Sequence, residues 1–256
     1  VIGTVSGTDI SFNTPVEFES GDYVGPKGIA YDTNTKRALI VFQDTAASGH
    51  GQGIVFKSPI ATNITSENFI GFAHAAYANG QKATVKTTGS IARNIPQIAS
   101  ASSTVGSATQ YAATGAYHNG IAYDTNANRF LIAYQDRANS NYGTAVVANI
   151  SGGTLSYGTP VVFESATTQS CHLAFDSNAN KFAIFYEDGG NSYYGTSIVA
   201  TIDPSDNSVT FGTVVVFESA AVDMQDSSSN AVFVSATPTS ATANKVVVGY
   251  VDGGDS

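Results

Sequence analysis

The chain has a single cysteine, Cys171, a single methionine and no tryptophan, and only 12% of its 256 residues are charged. One thiol excludes an internal disulfide framework and any metal site that needs several cysteines. The eleven Lys and Arg residues do not cluster, and the formal net charge is −9, so we expect no nucleic-acid partner. The sequence has no apolar run of the roughly 18 residues that a membrane-spanning helix needs, so we expect no membrane insertion. It also has no phosphate-binding loop or dinucleotide motif, and we expect no cofactor.

What the chain does have is a repeat. The clearest copy covers residues 120–136, and related segments lie at 28–44, 172–188 and 244–252. A companion segment at 158–165 has relatives that end at Ser20, Ala113 and Ser219. A fixed period of this length is typical of propeller blades or of stacked repeats.

Two rows of aromatic residues measure the period. One row ends the companion strand and the other precedes a recurring aspartate. Successive members are about 52 residues apart, with an insertion of about 40 in the first step of both rows and of about 12 in the last step of the second row. The first row is Phe18, Tyr111, Phe163 and Phe217, and the second is Phe42, Tyr134, Tyr186 and Tyr250.

Each repeat contains four predicted strands. In the clearest copy they cover 121–123, 130–134, 144–150 and a last strand that ends at 163. The second strand is apolar without alternation, which predicts burial on both of its faces. Four strands per radially repeated unit predict an all-β fold, a β-propeller of four repeat-derived blades, or of five if the insertion forms one.

The ends of the chain are out of phase with the repeat. Residues 1–5 align with the third strand at 198–202, and residues 246–250 align with the second strand, so we expect the two ends to pair in one composite blade that closes a single domain over 1–256. The alternative is that the chain is a window on a longer array of repeats.

The insertion, residues 58–100, is expected to form a β-hairpin-like module that protrudes from the domain. Its aromatic and basic side chains suit contact with a neighbouring subunit or an anionic surface. They are Phe69, Phe72, His74, Tyr77, Lys82 and Lys86. The alternative is a flap that covers the edge of the domain's own sheet.

The motif Asp-x-Asn-x-Asn occurs twice, at Asp124, Asn126 and Asn128 and at Asp176, Asn178 and Asn180. Oxygen ligands at alternate positions begin calcium loops, but the distal glutamate of an EF-hand is missing here. Asp and Asn are also the residues that a tight hairpin turn requires. We therefore interpret the motif as a turn and keep calcium as the weaker alternative.

Polar and aromatic residues recur where the second strand ends. Carboxylates at equivalent repeat positions have similar environments, which favours structure or multivalent binding over acid–base catalysis. The candidates for sugar contact are Asp136, Asn141, Tyr142, Asp188, Tyr193 and Tyr194, since aromatic faces stack on pyranose rings while Asn and Asp bind hydroxyls. The competing interpretation is that these tyrosines pack between adjacent blades.

The repeat resembles repeat proteins of tailed phages from marine environments. The resemblance is carried by the Tyr-Asp-x-Asn-x-Asn-(Lys/Arg) segments, Tyr-Gln-Asp, Ser-x-Tyr-Gly-Thr-Ala and Val-Phe-Glu-Ser. It is also carried by the part of the insertion that begins at Glu67. It implies a virion or extracellular setting, as part of a tail fibre or surface appendage.

The resulting function prediction is a non-enzymatic structural or receptor-binding protein that contacts other virion or surface subunits and host-surface glycan. The alternatives are a secreted carbohydrate-active enzyme on a propeller and a bacterial adhesin or filament subunit. An enzyme would concentrate acidic residues that depart from the repeat, whereas the acids here mostly follow it.

Overall fold

A computed structural model describes residues 3–12, 14–18, 24–46, 48–57, 72–73, 85–86, 104–225, 230–234 and 245–253. These residues are nearly all in antiparallel strands, and the helical turns among them are two short 3-10 helices, Arg137–Asn139 and Gly189–Asn191. The all-β prediction is therefore confirmed. The chain divides into two units, Val1–Lys57 with Val105–Ser256, and Ser58–Thr104.

The strands, in chain order, are β1 (Gly3–Ser6), β2 (Asp9–Phe12), β3 (Val24–Asp32), β4 (Arg37–Asp44), β5 (His50–Lys57), β6 (Phe72–Ala73), β7 (Val85–Lys86), β8 (Thr104–Val105), β9 (Thr109–Ala112), β10 (Ala116–Asp124), β11 (Arg129–Asp136), β12 (Tyr142–Ser151), β13 (Thr154–Tyr157), β14 (Val161–Asp176), β15 (Lys181–Asp188), β16 (Tyr194–Asp203), β17 (Ser208–Phe211), β18 (Val215–Asp223), β19 (Asn230–Val234), β20 (Lys245–Gly249) and β21 (Val251–Asp252). Repeat 1 is built on β3, β4, β5 and β9, repeat 2 on β10 to β13, repeat 3 on β15 to β17, and repeat 4 on β19 to β21.

Within a repeat, three strands form an antiparallel meander. In repeat 2 they are β10, β11 and β12, with a hairpin from β12 into β13. These strands fall where the sequence predicts the first three strands and the start of the fourth. The first half of β14 then pairs with the beginning of β12, where Ala145 lies opposite Val161.

β14 is a 16-residue strand that belongs to two repeats. It pairs with β12 as far as Thr167, and from Thr168 it pairs with β15 as the first strand of repeat 3. β18 makes the same passage from β16 to β21. The shared strands join repeats 2 and 3 and the last strand of repeat 4 into one curled ten-stranded sheet, whereas the strands of repeat 1 form a separate five-stranded sheet.

The hydrophobic core lies between successive repeats. Phe130, Ile132 and Tyr134 pack in one cluster with residues of repeat 1, whereas Leu131 and Ala133 pack in another with residues of repeat 3. All five are buried. The prediction that this strand is buried on both faces is confirmed, because repeat 2 is covered by repeat 1 on one side and by repeat 3 on the other.

The two aromatic rows meet in pairs, one ring from each row. The ring centroids lie 5.3–5.5 Å apart with interplanar angles of 62–66°, the edge-to-face arrangement that aromatic pairs prefer. The pairs are Phe18–Phe42, Tyr111–Tyr134, Phe163–Tyr186 and Phe217–Tyr250. The period of about 52 residues is therefore the spacing of a packing contact that recurs at every junction between repeats.

The predicted pairing of 1–5 with 246–250 in one composite blade is wrong for the described residues of both segments. β1 pairs with β2 in a separate two-stranded sheet, and β20 pairs with β19 in another. Each segment forms a hairpin with its sequence neighbour, which requires closing a much shorter loop than pairing the two chain ends does.

Of the inserted segment 58–100, the structure describes only β6 and β7. They pair antiparallel, with Phe72 opposite Lys86. The other residues predicted for an interaction surface, Phe69, His74, Tyr77 and Lys82, lie outside the described residues. The hairpin-like module and its role therefore stay predictions.

Candidate functional site

The predicted sugar-contact residues gather at one end of the sheet, where the second strand of a repeat ends and the third begins. Asp136 lies opposite Tyr142 across β11 and β12, and Asp188 lies opposite Tyr194 across β15 and β16. The 3-10 helices and the two residues after each one connect these strands. We call residues 136–142 and 188–194 the strand-end loops.

The two aspartates organise these loops. Asp136 accepts a hydrogen bond from the backbone N–H of Ala138 at 3.0 Å, and Asp188 accepts one from Gly190 at 2.9 Å, so each caps the 3-10 helix that follows it. In repeat 1 the equivalent Asp44 accepts a hydrogen bond from the Gln52 side chain at 2.6 Å. The recurrence of aspartate at this position therefore has a structural cause.

One aromatic residue of the strand-end loops, Tyr193, has a backbone conformation that is energetically unfavourable for a bulky side chain. Tyr193 is 41% exposed and has a φ of 60°, whereas the equivalent positions hold Gly49 and Asn141, residues that tolerate positive φ. Its N–H donates to the Asp188 carbonyl at 2.7 Å, and its carbonyl accepts from Val222 at 3.0 Å. A bulky residue held with positive φ at an exposed site is a candidate for function.

A second cluster lies at the same end of the sheet, and the sequence patterns missed it. Tyr117 and His118 lie where β10 shifts register, and His118 has a φ of 52°. The guanidinium carbon of Arg137 lies 4.4 Å from the centre of the Tyr117 ring, a cation–π contact. Gly115 makes room for it, since a Cβ there would lie 2.6 Å from the Arg137 Cβ.

The surroundings of His118 favour the neutral form of its imidazole, because they lower its pKa. Burial lowers the pKa of His118, and electrostatic interactions with Arg137 and His172 lower that pKa further. The pKa of Tyr117 is also lowered, by a hydrogen bond with Gln43 and by the Arg137 charge, against the opposing effect of burial. A neutral imidazole beside a guanidinium offers both donors and an acceptor to a polar ligand.

The signal for this cluster in the sequence is its departure from the repeat. His118 is matched by Pro26 and Ser170, and Arg137 is matched by Thr45 and Gly189. At these positions the residue type differs between repeats although the neighbouring residues recur, so the fold does not require one particular residue there. Recurrence along the sequence points only to residues that recur, and these residues do not.

A half-buried carboxylate, Glu164, lies beside the strand-end loops. Burial and the charge of Asp188 raise the pKa of Glu164, even though the Tyr186 hydroxyl donates to its Oε2 at 3.1 Å. The equivalent pair in the next repeat is Tyr250 and Glu218, also 3.1 Å apart. The hydrogen bond between tyrosine and glutamate is thus present in both repeats, and in the Glu164 pair the pKa of the carboxyl group is also raised.

The Asp-x-Asn-x-Asn segments lie at the opposite end of the strands and form turns. One carboxylate oxygen of Asp124 accepts hydrogen bonds from the N–H groups of Asn126 and Ala127, both at 2.8 Å. Asp176 does the same for Asn178 and Ala179, at 2.8 and 2.9 Å. Asn128 and Asn180 have φ values of 55° and 56°. The turn interpretation is supported, because each of these residues performs turn chemistry.

We expect removal of divalent cations to leave the melting temperature unchanged, because these carboxylates already bind backbone N–H groups. Thermal unfolding with and without EDTA checks this. In the described part of the chain no three His, Cys, Asp or Glu side chains are placed to share a metal ion. A drop of several degrees on chelation would instead favour calcium at Asp124 and Asp176.

Comparison of the chain with protein-family models, curated proteins and solved structures finds no match in any of the three. Within the described residues there is no helix of the length and apolarity required to cross a membrane.

Proposed function

We propose that this chain is a non-enzymatic repeat scaffold of a phage virion, in a tail fibre or surface appendage, and that its strand-end loops bind glycan on the host surface. The setting is supported by the resemblance of its repeat segments to phage repeat proteins. The ligand class is supported by the chemistry of the loops. The observation that carries the binding proposal is that Tyr193 is exposed and has a positive φ at the end of the loop whose 3-10 helix Asp188 caps.

The scaffold proposed is a β-propeller of four repeat-derived blades. Two observations support it. Successive repeats pack on each other through hydrophobic clusters, and the first strands of neighbouring repeats are in contact. Gly28 of β3 leaves room for the side chain of Ile121 of β10, and Gly120 leaves room for Leu173 of β14. Small residues on the first strand are what a wedge-shaped blade needs near its axis.

The strand-end loops suit a sugar because they combine a stacking surface with directional polar groups. Tyr193 offers an exposed ring, and Asn141 holds the equivalent place in the neighbouring repeat. The cluster of Tyr117, His118 and Arg137 adds donors and an acceptor at the same end of the sheet. Such a mixture of aromatic faces and a few fixed polar groups is typical of polar-ligand sites.

A glycan array probed with the purified chain tests the proposal. Binding is expected for the wild type, and Tyr193→Ala is expected to weaken it about five- to tenfold, since loss of one stacked ring costs about 1–1.4 kcal/mol. Phe12→Ala is the matched control, because Phe12 is an exposed aromatic outside the strand-end loops. A wild type that binds no glycan, or a Tyr193→Ala variant that binds like the wild type, contradicts the proposal.

One observation favours the alternative of a carbohydrate-active enzyme. Glu164 has a raised pKa beside Asp188, and two carboxyl groups with unequal proton affinity are what glycoside hydrolysis uses. The array sugars that bind should therefore be incubated with the chain and assayed for new reducing ends. Release that is lost in Glu164→Gln but kept in Glu218→Gln would support the enzyme and overturn the non-enzymatic proposal.

A further inference from the structure

We propose that the junction between repeats 1 and 2 binds the carboxylate of an acidic sugar, and that Arg137 is the residue that recognises it. The inference rests on the proposed glycan binding and specifies which class of sugar is bound. It comes from comparing equivalent positions, because this junction differs from the two later ones in charge and in shape. We call Gln43, Tyr117, His118 and Arg137 the guanidinium cluster.

The junction of repeats 1 and 2 lacks a carboxylate that the later junctions have. Glu164 and Glu218 hold the same register position, opposite a glycine of the third strand, and each accepts a hydrogen bond from a tyrosine hydroxyl at 3.1 Å. At the junction of repeats 1 and 2 this position, opposite Gly51, is Ala112. A negative charge that the other junctions carry is therefore absent here.

The same junction has a cation that the later junctions lack. Arg137 follows the recurring aspartate here, whereas the equivalent residues are Gly189 and Gly253. The later junctions thus carry two carboxylates each, and this one carries one carboxylate and one guanidinium. Among the described residues no carboxylate forms an ion pair with Arg137. Its charge is therefore available to an anionic ligand.

The shape of the junction changes together with its charge. A Cβ at Gly189 would lie 2.8 Å from the carbonyl oxygen of Thr167 and 3.0 Å from the Thr167 Cβ, so a side chain at that position meets the preceding strand. At the junction of repeats 1 and 2 the equivalent of Thr167 is Gly115, and the side chain of Arg137 lies against it. Threonine with glycine is thus exchanged for glycine with arginine, which gives the long side chain its place.

The guanidinium of Arg137 is held in one orientation. Its central carbon lies 4.4 Å from the centre of the Tyr117 ring, and the Arg137 side chain is exposed. A guanidinium stacked on an aromatic face keeps the N–H groups of its edge for other partners. Two of these N–H groups match the two oxygens of a carboxylate in parallel hydrogen bonds.

A buried amide adds a further donor to the cluster. Gln43 is 1% exposed, and apart from the hydroxyl of the stacked tyrosine its Nε2 has no hydrogen-bond partner among the described residues. The equivalent Gln135 donates from its Nε2 to the carbonyl of Thr168 at 2.8 Å. In repeat 2 the carbonyl equivalent to that of Thr168 belongs to Ala116, and it accepts from Asn119 at 3.3 Å. A buried donor without a full set of acceptors is stabilised by a ligand oxygen.

A carboxylate fits this cluster better than a phosphate monoester does. The cluster has one permanent cation, because the lowered pKa of His118 favours its neutral form, and the net charge of −9 opposes a dianion. Arg137 also belongs to the strand-end loop that contains Asn141 and Tyr142, two of the predicted sugar-contact residues. One ligand can therefore offer a carboxylate to Arg137 and hydroxyls to the rest of the loop.

Titration of the wild type with glucuronate, galacturonate and mannuronate, each beside its neutral hexose, tests the inference by NMR. At least one hexuronate is expected to bind more tightly than its hexose and to shift the ring signals of Tyr117 and His118. Arg137→Gln is expected to weaken hexuronate binding about tenfold or more and to leave hexose binding unchanged, since a hydrogen bond to a charged group is lost. The fold tolerates this change, because the equivalent residues are Thr45 and Gly189.

Lys181→Gln is the matched control. It also removes one positive charge, but Lys181 lies at the opposite end of the strands, where its Nζ donates to Thr201 at 2.7 Å. This variant should bind hexuronates like the wild type. Acetate provides a second control, because it has the carboxylate without the sugar and should bind more weakly than the hexuronates.

The outcomes separate this inference from the proposed glycan binding. If hexoses bind as tightly as hexuronates, or if Arg137→Gln binds hexuronates like the wild type, the inference is wrong and glycan binding stands. Acetate that binds as tightly as the hexuronates shows a site for a carboxylate alone, which overturns the assignment to a sugar. A wild type that binds no sugar, in these titrations and on the glycan array, overturns both proposals.

Discussion

Replacing Tyr134 with alanine is expected to lower the free energy of unfolding by about 3–5 kcal/mol, the range for removal of a large buried aromatic side chain. Tyr134 is among the largest fully buried side chains of the chain and lies in the core between repeats 1 and 2. Its ring packs edge to face on Tyr111 at 5.4 Å. The substitution removes one ring of a contact that recurs at every junction, so it should weaken the attachment of repeat 1 to repeat 2.

Urea denaturation followed by circular dichroism measures this loss. The control is Val162→Ala, which shortens an apolar side chain that lies on β14 and is exposed to solvent. That change should alter stability by less than about 1 kcal/mol, because surface substitutions leave no cavity. Equal losses for the two variants would show that the aromatic pair does not hold the repeats together.

Gly120→Ala is the second change with a large expected effect, although it adds only one methyl group. A Cβ at Gly120 would lie 2.3 Å from the Cys171 carbonyl oxygen and 2.7 Å from the Leu173 side chain. The obstructing atom is backbone, so relief requires β10 and β14 to move apart. Overpacking of this kind costs about 1–3 kcal/mol and more where the backbone must shift.

The matched control is Gly249→Ala in β20. A Cβ there meets no heavy atom within 4 Å. Alanine restricts the unfolded chain more than glycine does, so this variant should be as stable as the wild type or slightly more stable. Thermal unfolding of both variants decides the matter. If Gly120→Ala unfolds at the wild-type temperature, the first strands of neighbouring repeats are not in close contact.

The local structure of this protein follows from its sequence. The unbroken apolar segment 130–134 predicts a strand buried on both faces, and Phe130 to Tyr134 contact repeat 1 and repeat 3 in turn. Asp124 predicts a tight turn and binds the two N–H groups that such a turn leaves free. The aromatic rows predict a recurring contact and meet ring to ring. These features depend on neighbours in sequence or on repetition, and both can be read along the chain.

The candidate site was predicted only in part. Asp136 and Tyr142 were found because they recur, and the structure places them opposite each other. Arg137 and Tyr117 were missed, because nothing in the spacing of residues 117 and 137 shows that the guanidinium lies over the ring. That contact depends on the register of β10 against β11 and on the room left by Gly115.

Only the tertiary structure decided how the repeats join and what their ends do. It makes β14 one strand shared by two repeats, and it gives β1 and β20 separate hairpin partners in place of each other. A side-chain pattern specifies which faces of a strand are apolar, and it is the same whichever partner covers them. The choice of partner depends on the cost of closing each loop and on the fit of surfaces far apart in sequence. For that reason the sequence determined which faces of the strands are apolar, and the fold determined which partner each strand has.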